Sequence, residues 1–332
     1  MRSCESTLEV PATRLQTGGA NIDDQRRLCR SSLDAGRMSE LLTRANFAVG
    51  RTFYADESSL LHHLKIHAVL AYRRARSGYP CHRDGTFDAE ELKARGFVVL
   101  EGLYDADLVD RIRAVVKARM DDPESIATRQ RPGPDGNQYS WYLKDPAKLL
   151  PEIAQLLTPG LVSSLEDYYR AHVKPRSVKC WRNLHVPPDV YAQREIYSNR
   201  YHCDHSRAPG LLKLIYLVDD VTPADGPFRL QPRPRTRDLM RRGWGNRNAY
   251  SLPDEMVEDP EHVVVFAAPA GSIIIANTAS CLHRASNPGP GHLRDIIQFQ
   301  LIPAVCPLDP GWFALPAMTE LSPQELGRTQ GR

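Results

Sequence analysis

The sequence lacks the motifs that define several large classes of protein. It contains no CxxC pair, and its seven cysteines are odd in number and widely spaced, so we expect neither a disulfide framework nor a zinc ribbon, and a reducing compartment. No GxGxxG motif follows a predicted strand and no P-loop motif occurs, which leaves a nucleotide-binding α/β fold without support. Neither charge sign dominates: the 43 Lys and Arg residues against 40 Asp and Glu residues give a net charge of +3. We therefore expect no nucleic-acid partner.

A long uninterrupted apolar run is also missing. The most apolar stretch, residues 262–279, is broken by Pro269 and Gly271. Two buried strands joined by a turn explain this stretch better than a transmembrane helix. Glu5 and Glu9 interrupt the place where a signal peptide needs an apolar core. We therefore expect a cytoplasmic protein with no membrane partner.

Proline, by contrast, is abundant, with 26 residues in a chain of 332. This exceeds the usual fraction of about 5% and indicates many turns and strand edges. From residue 178 to residue 304, short apolar runs alternate with Pro/Gly turns; the runs are 178–184, 211–218, 263–267, 272–276 and 295–303. This texture predicts a mainly β fold with flanking helices, arranged as a sandwich or jelly roll.

The chain is predicted to have two parts. Residues 1–91 would form a polar tail followed by a helical N-terminal extension, because periodicity is absent up to about residue 35 and helical from 38 to 76. Residues 92–332 would form the β-rich domain. This domain would open with a strand at 97–100 and a helix capped by Asp105.

Two short segments in the β region carry residues suited to metal chemistry. His202 and Asp204 are two apart, so on an extended strand they would share a face. His283 follows about eighty residues later. Two imidazoles and one carboxylate on one side of a metal leave coordination positions open, which is the facial triad of non-haem Fe(II) oxygenases.

A third element is Arg294, which lies eleven residues after His283. We expect His283 to end one strand, the intervening loop to turn back, and Arg294 to enter the antiparallel neighbour. A guanidinium placed there would grip a carboxylate bound beside the metal, because its rigid fork makes bidentate contacts.

This order of HxD, distal His and Arg resembles that of the Fe(II)/2-oxoglutarate-dependent dioxygenases. Residues 96–120, with a GFVVL strand and a following helix, are similar to the opening of the phytanoyl-CoA dioxygenase-like branch. The resemblance covers residues 92–304. It implies a double-stranded β-helix core, cupin-like in form, with Fe(II) on His202, Asp204 and His283 as the catalytic and metal-binding set. It also implies 2-oxoglutarate as co-substrate, with its far carboxylate on Arg294.

The resemblance further implies a hydroxylase that acts with O2 on an unactivated C–H bond of a small molecule. Because Asp204 is present, hydroxylation, desaturation or cyclisation is favoured over halogenation. Seven arginines between residues 226 and 247 form either a solvated loop or a surface that attracts an acidic or carrier-linked substrate. We also expect a role in specialised metabolism.

Several alternatives stay open. Lys213, nine residues after Asp204, competes with Arg294 for the 2-oxoglutarate carboxylate, since one branch of the superfamily uses a lysine on that strand. The fold also accommodates a protein or RNA hydroxylase, or a non-catalytic cupin-like binding module. The sequence leaves the substrate and the oligomeric state open.

Overall fold

The structure is a computed structural model that describes residues 60–79, 84–127, 132–193, 196–204, 210–241 and 257–309. The expected polar tail and the first part of the helical extension lie outside these residues. The α-helices are α1 (Leu60–Ser77), α2 (Ala89–Arg95), α3 (Ala106–Met120), α4 (Pro146–Leu149), α5 (Pro159–Tyr169), α6 (Pro188–Gln193) and α7 (Arg233–Arg241). Short 3-10 turns cover Pro123–Ser125, Pro151–Leu156 and Pro223–Asp225.

The strands form two antiparallel sheets. They are β1 (Phe97–Leu100), β2 (Ile126–Ala127), β3 (Ser140–Leu143), β4 (His172–Leu184), β5 (Leu212–Leu217), β6 (Phe228–Leu230), β7 (Val264–Phe266), β8 (Ile273–Ala276), β9 (His283–Ala285) and β10 (Leu293–Ala304). The large sheet has the order β1-β8-β5-β10-β4-β3-β2, and the small sheet has the order β7-β6-β9. Buried side chains of both sheets pack together, among them Leu217, Phe228 and Ile296. The predicted jelly-roll class, mainly β with flanking helices, is confirmed.

Alternation along the central strand β10 assigns its residues to two environments. Ile297, Phe299 and Leu301 pack on one face with helix residues such as Ile112 and Val116 of α3. The intervening residues of β10 point to the opposite face, towards the small sheet. Because both faces are covered, all of β10 after Leu293 is buried.

The opening of the β-rich domain follows its predicted local signals. Asp105 caps α3, since its side chain accepts a hydrogen bond from the backbone N–H of Leu108 at 2.7 Å. Gly96 ends α2 in the left-handed conformation at φ 84°. A Cβ at that position would lie 2.4 Å from Sγ of Cys281, so glycine is needed both for the backbone angle and for this close approach.

Part of the N-terminal extension lies against this core. Arg73 of α1 donates a hydrogen bond to the carbonyl oxygen of Pro303 at 2.9 Å, and Arg74 donates to that of Tyr169 at 2.8 Å. Residue 91, the predicted end of the extension, lies within α2. The division into two parts stays a prediction. In the ranges described, the helices are too short or too polar to cross a lipid bilayer.

Candidate metal centre

His202, Asp204 and His283 converge between the two sheets. Their ligand atoms all lie within 4.8 Å of one another, close enough for a single ion to contact all three side chains. Nε2 of His202 is 3.7 Å from Oδ1 of Asp204, and Nε2 of His283 is 3.6 Å from Oδ2 of the same carboxylate. Both histidines are buried, with exposed fractions of 2% and 3%. These residue types suit a divalent transition metal.

Backbone pairing brings the two histidines together. His202 and His283 exchange both backbone hydrogen bonds, at 3.0 and 3.1 Å, as an isolated antiparallel bridge at the edge of β9. Directly opposed residues of this kind carry their side chains on the same face, and the two ring centroids are 4.3 Å apart. The backbone N–H of Asp204 donates to the carbonyl oxygen of Thr278 at 2.9 Å, which anchors the third member.

Hydrogen bonds on the far side of each ring fix the direction of its other nitrogen, Nε2. Nδ1 of His202 lies 2.8 Å from the carbonyl oxygen of Arg200, and Nδ1 of His283 lies 3.0 Å from that of Cys281. A carbonyl oxygen only accepts, so each Nδ1 carries the proton and donates. The lone pair of each Nε2 then points towards Asp204, as metal ligation requires.

Lys213 completes the surroundings of the carboxylate. Its Nζ lies 2.5 Å from Oδ2 of Asp204. Burial alone would raise the pKa of the Asp204 carboxyl, but the adjacent positive charge of Lys213 outweighs burial and holds that pKa well below its usual range. Burial lowers the pKa of His283 well below its ordinary value. Asp204 is therefore ionised and His283 neutral at pH 7, the protonation states that bind a metal.

A cavity of about 270 Å³ adjoins the three residues. It lies between the sheets and is lined by Tyr142, Lys179, Trp181, Asn183, Tyr197, Ser198, His202, Asp204, Lys213, Ile215, Leu217, Phe228, His283, Ala285, Arg294, Ile296, Gln298 and Gln300. On the large sheet these are alternate residues of β4, β5 and β10, the face left free by the helices. The cavity is the space in which a co-substrate and a substrate would meet a metal.

Arg294 reaches this cavity from β10 as a buried, incompletely paired cation. Its side chain is 3% exposed, and neither Nε nor Nη1 has a hydrogen-bond partner among the described residues. Burial lowers its pKa to about 10, so it still carries its charge at pH 7. A buried guanidinium with two unsatisfied N–H groups is a receptor for an anion.

Two details of the expected geometry were wrong. The segment holding His202 and Asp204 is not a regular strand, since in the described residues it is joined to its neighbours by the bridge to His283 and the hydrogen bond from Asp204 to Thr278 alone. His283 begins β9 of the small sheet, whereas Arg294 lies in β10 of the large sheet. Ligands and guanidinium therefore face one another across the sandwich, not along neighbouring strands.

The arginine-rich stretch does not line this cavity in the parts that the structure describes. Arg229 pairs with Glu258 at 2.6 Å, Arg233 donates to Ser280 at 3.0 Å, and Arg235 pairs with Asp238 at 3.2 Å. These arginines hold the small sheet and α7 in place. Three of the seven arginines that suggested an acidic substrate are thus engaged in structural contacts.

Most of the polar side chains that line the cavity were not predicted from the sequence. Lys179, Gln298 and Gln300 project into the cavity from the interiors of long buried strands. The signal was the alternation of polar residues within apolar runs, as in the segment Gln298-Phe299-Gln300. Polar residues on the inner face of a buried strand indicate a lined cavity. Trp181 also lies in the cavity wall.

No protein-family model and no curated protein matches the chain. Among solved structures, it is similar to the non-heme alpha ketoglutarate dependent epimerase SnoN from nogalamycin biosynthesis, at 16% identity over 71% of this chain and 84% of that one, with a TM-score of 0.47. It is also similar to EctD from S. alaskensis with 2-oxoglutarate and 5-hydroxyectoine (18%, 69% and 80%, TM-score 0.46). A third similar structure is HygX from Streptomyces hygroscopicus with nickel, 2-oxoglutarate and hygromycin B (16%, 64% and 85%, TM-score 0.41). These similarities are loose, and the function of this chain is inferred from its own residues.

Proposed function

We propose that the chain is a non-haem Fe(II)- and 2-oxoglutarate-dependent dioxygenase that oxidises a C–H bond of a small molecule. The observation that carries this proposal is the convergence of His202, Asp204 and His283 in one cavity with the unpartnered guanidinium of Arg294. A set of two imidazoles and one carboxylate with open coordination positions suits Fe(II), and the arginine suits the far carboxylate of an oxo-diacid.

The residues of the chain fit this pair of ligands. The neutral His283, with His202 and the ionised Asp204, would hold the metal with low net charge. Of the two cations that the sequence offered for the co-substrate, Lys213 is paired with Asp204, whereas Arg294 keeps Nε and Nη1 unpaired among the described residues, which favours Arg294. Through this ion pair Lys213 would position the metal-binding carboxylate, a role that the sequence did not suggest.

Fe(II) and 2-oxoglutarate, when bound, would supply the activation of O2 and the oxidation of the substrate. The protein would orient these partners. The Nδ1–H bonds of the two histidines hold their rings, and Arg294 fixes the direction of the co-substrate. Ile215, Leu217 and Ile296 line the same cavity and would keep bulk water from the reacting centre.

Hydroxylation, desaturation or cyclisation is favoured over halogenation because Asp204 occupies the carboxylate position. The small volume of the cavity favours a small molecule over an RNA or a folded protein as substrate. The phytanoyl-CoA dioxygenase-like branch and the cytoplasmic location stay predictions from the sequence.

The test is succinate release from 2-oxoglutarate in the presence of Fe(II) and ascorbate, without added substrate. Wild-type protein should show slow turnover, and Asp204→Ala should show none. Asp259→Ala is a matched control, since Asp259 belongs to a more exposed group with Glu261 and His262 on the protein surface. Turnover by the control should equal that of the wild type.

Metal binding separates an enzyme from an inert binding module of the same fold. Calorimetric titration with Fe(II) under anaerobic conditions should show one site that His283→Ala removes. A folded wild-type protein that binds no Fe(II) and releases no succinate would contradict the proposal. Full activity in His283→Ala would contradict the ligand assignment.

A further inference from the structure

One end of the cavity floor carries a buried polar group without a partner. Gln300 is 8% exposed, lines the cavity, and has no hydrogen-bond partner for its Oε1 among the described residues. An amide oxygen only accepts hydrogen bonds, so this atom requires an O–H or N–H donor. Because a buried acceptor without a partner costs free energy, a ligand that supplies the donor gains affinity from this contact.

A second unpaired group lies beside the first. Ser177 of β4 is directly opposite Gln300 of β10, and its buried Oγ has no partner among the residues that the structure describes. Directly opposed residues of antiparallel strands have their Cβ atoms about 4.5–5.5 Å apart, on one face of the sheet. Gln298, two residues earlier on β10, shares this face and also lines the cavity. This end of the floor therefore offers several uncharged hydrogen-bonding groups.

The lysines at this end have partners within the protein. Lys213, which lies opposite Gln300 on the other side of β10, is paired with Asp204 at 2.5 Å. Lys179 lies opposite Gln298 and also makes an interaction of its own in the structure. The unpaired acceptor in this part of the cavity lining thus belongs to a neutral amide, which favours recognition of an uncharged group over recognition of an anion.

The proposed co-substrate is too short to reach this end from its anchor. Gln300 follows Arg294 by six residues on β10, which corresponds to roughly 20 Å along an extended strand. The four C–C bonds between the two carboxylate carbons of 2-oxoglutarate, at about 1.5 Å each, span at most roughly 6 Å. A co-substrate on Arg294 therefore leaves Oε1 of Gln300 for another ligand. Because Lys213 opposite Gln300 contacts a metal ligand, that other ligand would lie beside the metal, where a substrate is required.

We propose that Gln300, together with Gln298, determines substrate specificity and selects a small molecule by an uncharged O–H or N–H group. The donor of this group would bond to Oε1 of Gln300, and the amide of Gln298 would offer a further donor and acceptor. The substrate would be an alcohol or an amide at this end, rather than a carboxylate or a phosphate. This inference rests on the proposed function and deepens it by naming the substrate class.

Pairs of probes that differ by one methyl group test the donor. Cyclohexanol is compared with methoxycyclohexane for the O–H donor, and 2-pyrrolidinone with N-methyl-2-pyrrolidinone for the N–H donor; cyclohexanecarboxylate is the anionic probe. Each is titrated into protein loaded with Fe(II) and saturating 2-oxoglutarate under anaerobic conditions. Binding is followed by tryptophan fluorescence, to which Trp181 in the cavity wall contributes. At least one donor probe should bind about tenfold more tightly than its methylated counterpart, and the pair with the larger ratio identifies the group.

Variants separate a hydrogen bond from a difference in size. Gln300→Leu should reduce the affinity ratio between donor probe and methylated probe to about one, because leucine offers no acceptor, whereas Gln300→Glu keeps an acceptor and should keep the preference. Gln193→Leu is the matched control and should keep the wild-type ratio, because Gln193 is exposed at the end of α6 and does not line the cavity. An unchanged ratio in Gln300→Leu would overturn the inference. So would wild-type protein that binds the methylated probes as tightly as the donors, or cyclohexanecarboxylate more tightly than both donors.

The preceding titration with 2-oxoglutarate tells the two proposals apart. If 2-oxoglutarate binds but donor and methylated probes bind equally, the specificity assignment is wrong and the proposed function stands. If 2-oxoglutarate does not bind to protein and Fe(II), the proposed function fails, and this inference fails with it.

Discussion

Replacing Arg294 with methionine should stabilise the ligand-free protein while abolishing its response to 2-oxoglutarate. Arg294 is buried in the cavity with two N–H groups unpaired in the described residues. Methionine has similar length and no charge to desolvate. The same substitution removes the bidentate contact that we propose for the co-substrate.

The magnitude follows from the depressed pKa of Arg294. The fall of this pKa to about 10 corresponds to roughly 3 kcal/mol of unfavourable free energy for the charged form, at 1.36 kcal/mol per pKa unit. Because the folded pKa lies below the unfolded one, this penalty is fully present below about pH 10 and declines as the pH rises further. Imperfect packing of methionine subtracts from the gain, so we expect a net stabilisation of about 1–3 kcal/mol at pH 7.

Urea denaturation of the ligand-free protein measures the first effect, and the thermal shift caused by 2-oxoglutarate in the presence of metal measures the second. Arg111→Met is the control, since Arg111 is exposed on α3 and its loss should leave both quantities unchanged. If Arg294→Met destabilised the protein by more than about 1 kcal/mol, the buried charge of Arg294 would not destabilise the ligand-free fold, and the reasoning would be refuted. A full thermal shift in the variant would refute its role as the co-substrate anchor.

Three further outcomes are expected. Asp204→Asn should weaken metal binding by more than about tenfold in calorimetry while the protein stays folded, because a neutral amide replaces the anionic ligand. Between pH 6.5 and pH 5, the metal-free protein should lose unfolding free energy because of His283, with a slope that rises to about 1.4 kcal/mol per pH unit, since its lowered pKa makes protonation favour the unfolded chain; His283→Gln should flatten this slope in urea titrations. Arg182→Ala should cost about 3–5 kcal/mol of unfolding free energy, because it strips the buried Asp295 of two hydrogen bonds of 2.8 Å; a loss below about 1 kcal/mol would contradict that account.

The sequence predicted the site residues better than the path of the chain between them. His202, Asp204 and His283 were recognisable because metal ligation requires few residue types, and the structure brings all three together. The connection from His283 to Arg294 was predicted wrongly, because a loop of this length can join two neighbouring strands of one sheet or two strands of different sheets. The core contacts that decide between these connections are long-range and leave no local pattern.

The polar lining escaped prediction for a different reason. From the sequence alone, a glutamine on a buried strand is interpreted as a hydrogen-bonded core residue, because the sequence does not show whether protein or a cavity lies against that face of the strand. Only the pairing of β10 with both β4 and β5 places Gln300 beside two lysines and opposite a space. Lys213 was noticed, but its ion pair with Asp204 depends on a turn of the chain that periodicity does not encode.

The division of the site between two sheets has a consequence for how such an enzyme changes over time. His283 is carried by the small sheet and Arg294 by the large one, and the side chains packed between the sheets include Phe228 and Ile296. A substitution that thickens or thins this layer alters the separation of metal and co-substrate anchor without touching either. Substitutions at apolar positions between the two sheets should therefore be able to change the reaction outcome. The residues of this core would then influence the reaction as well as the stability of the fold.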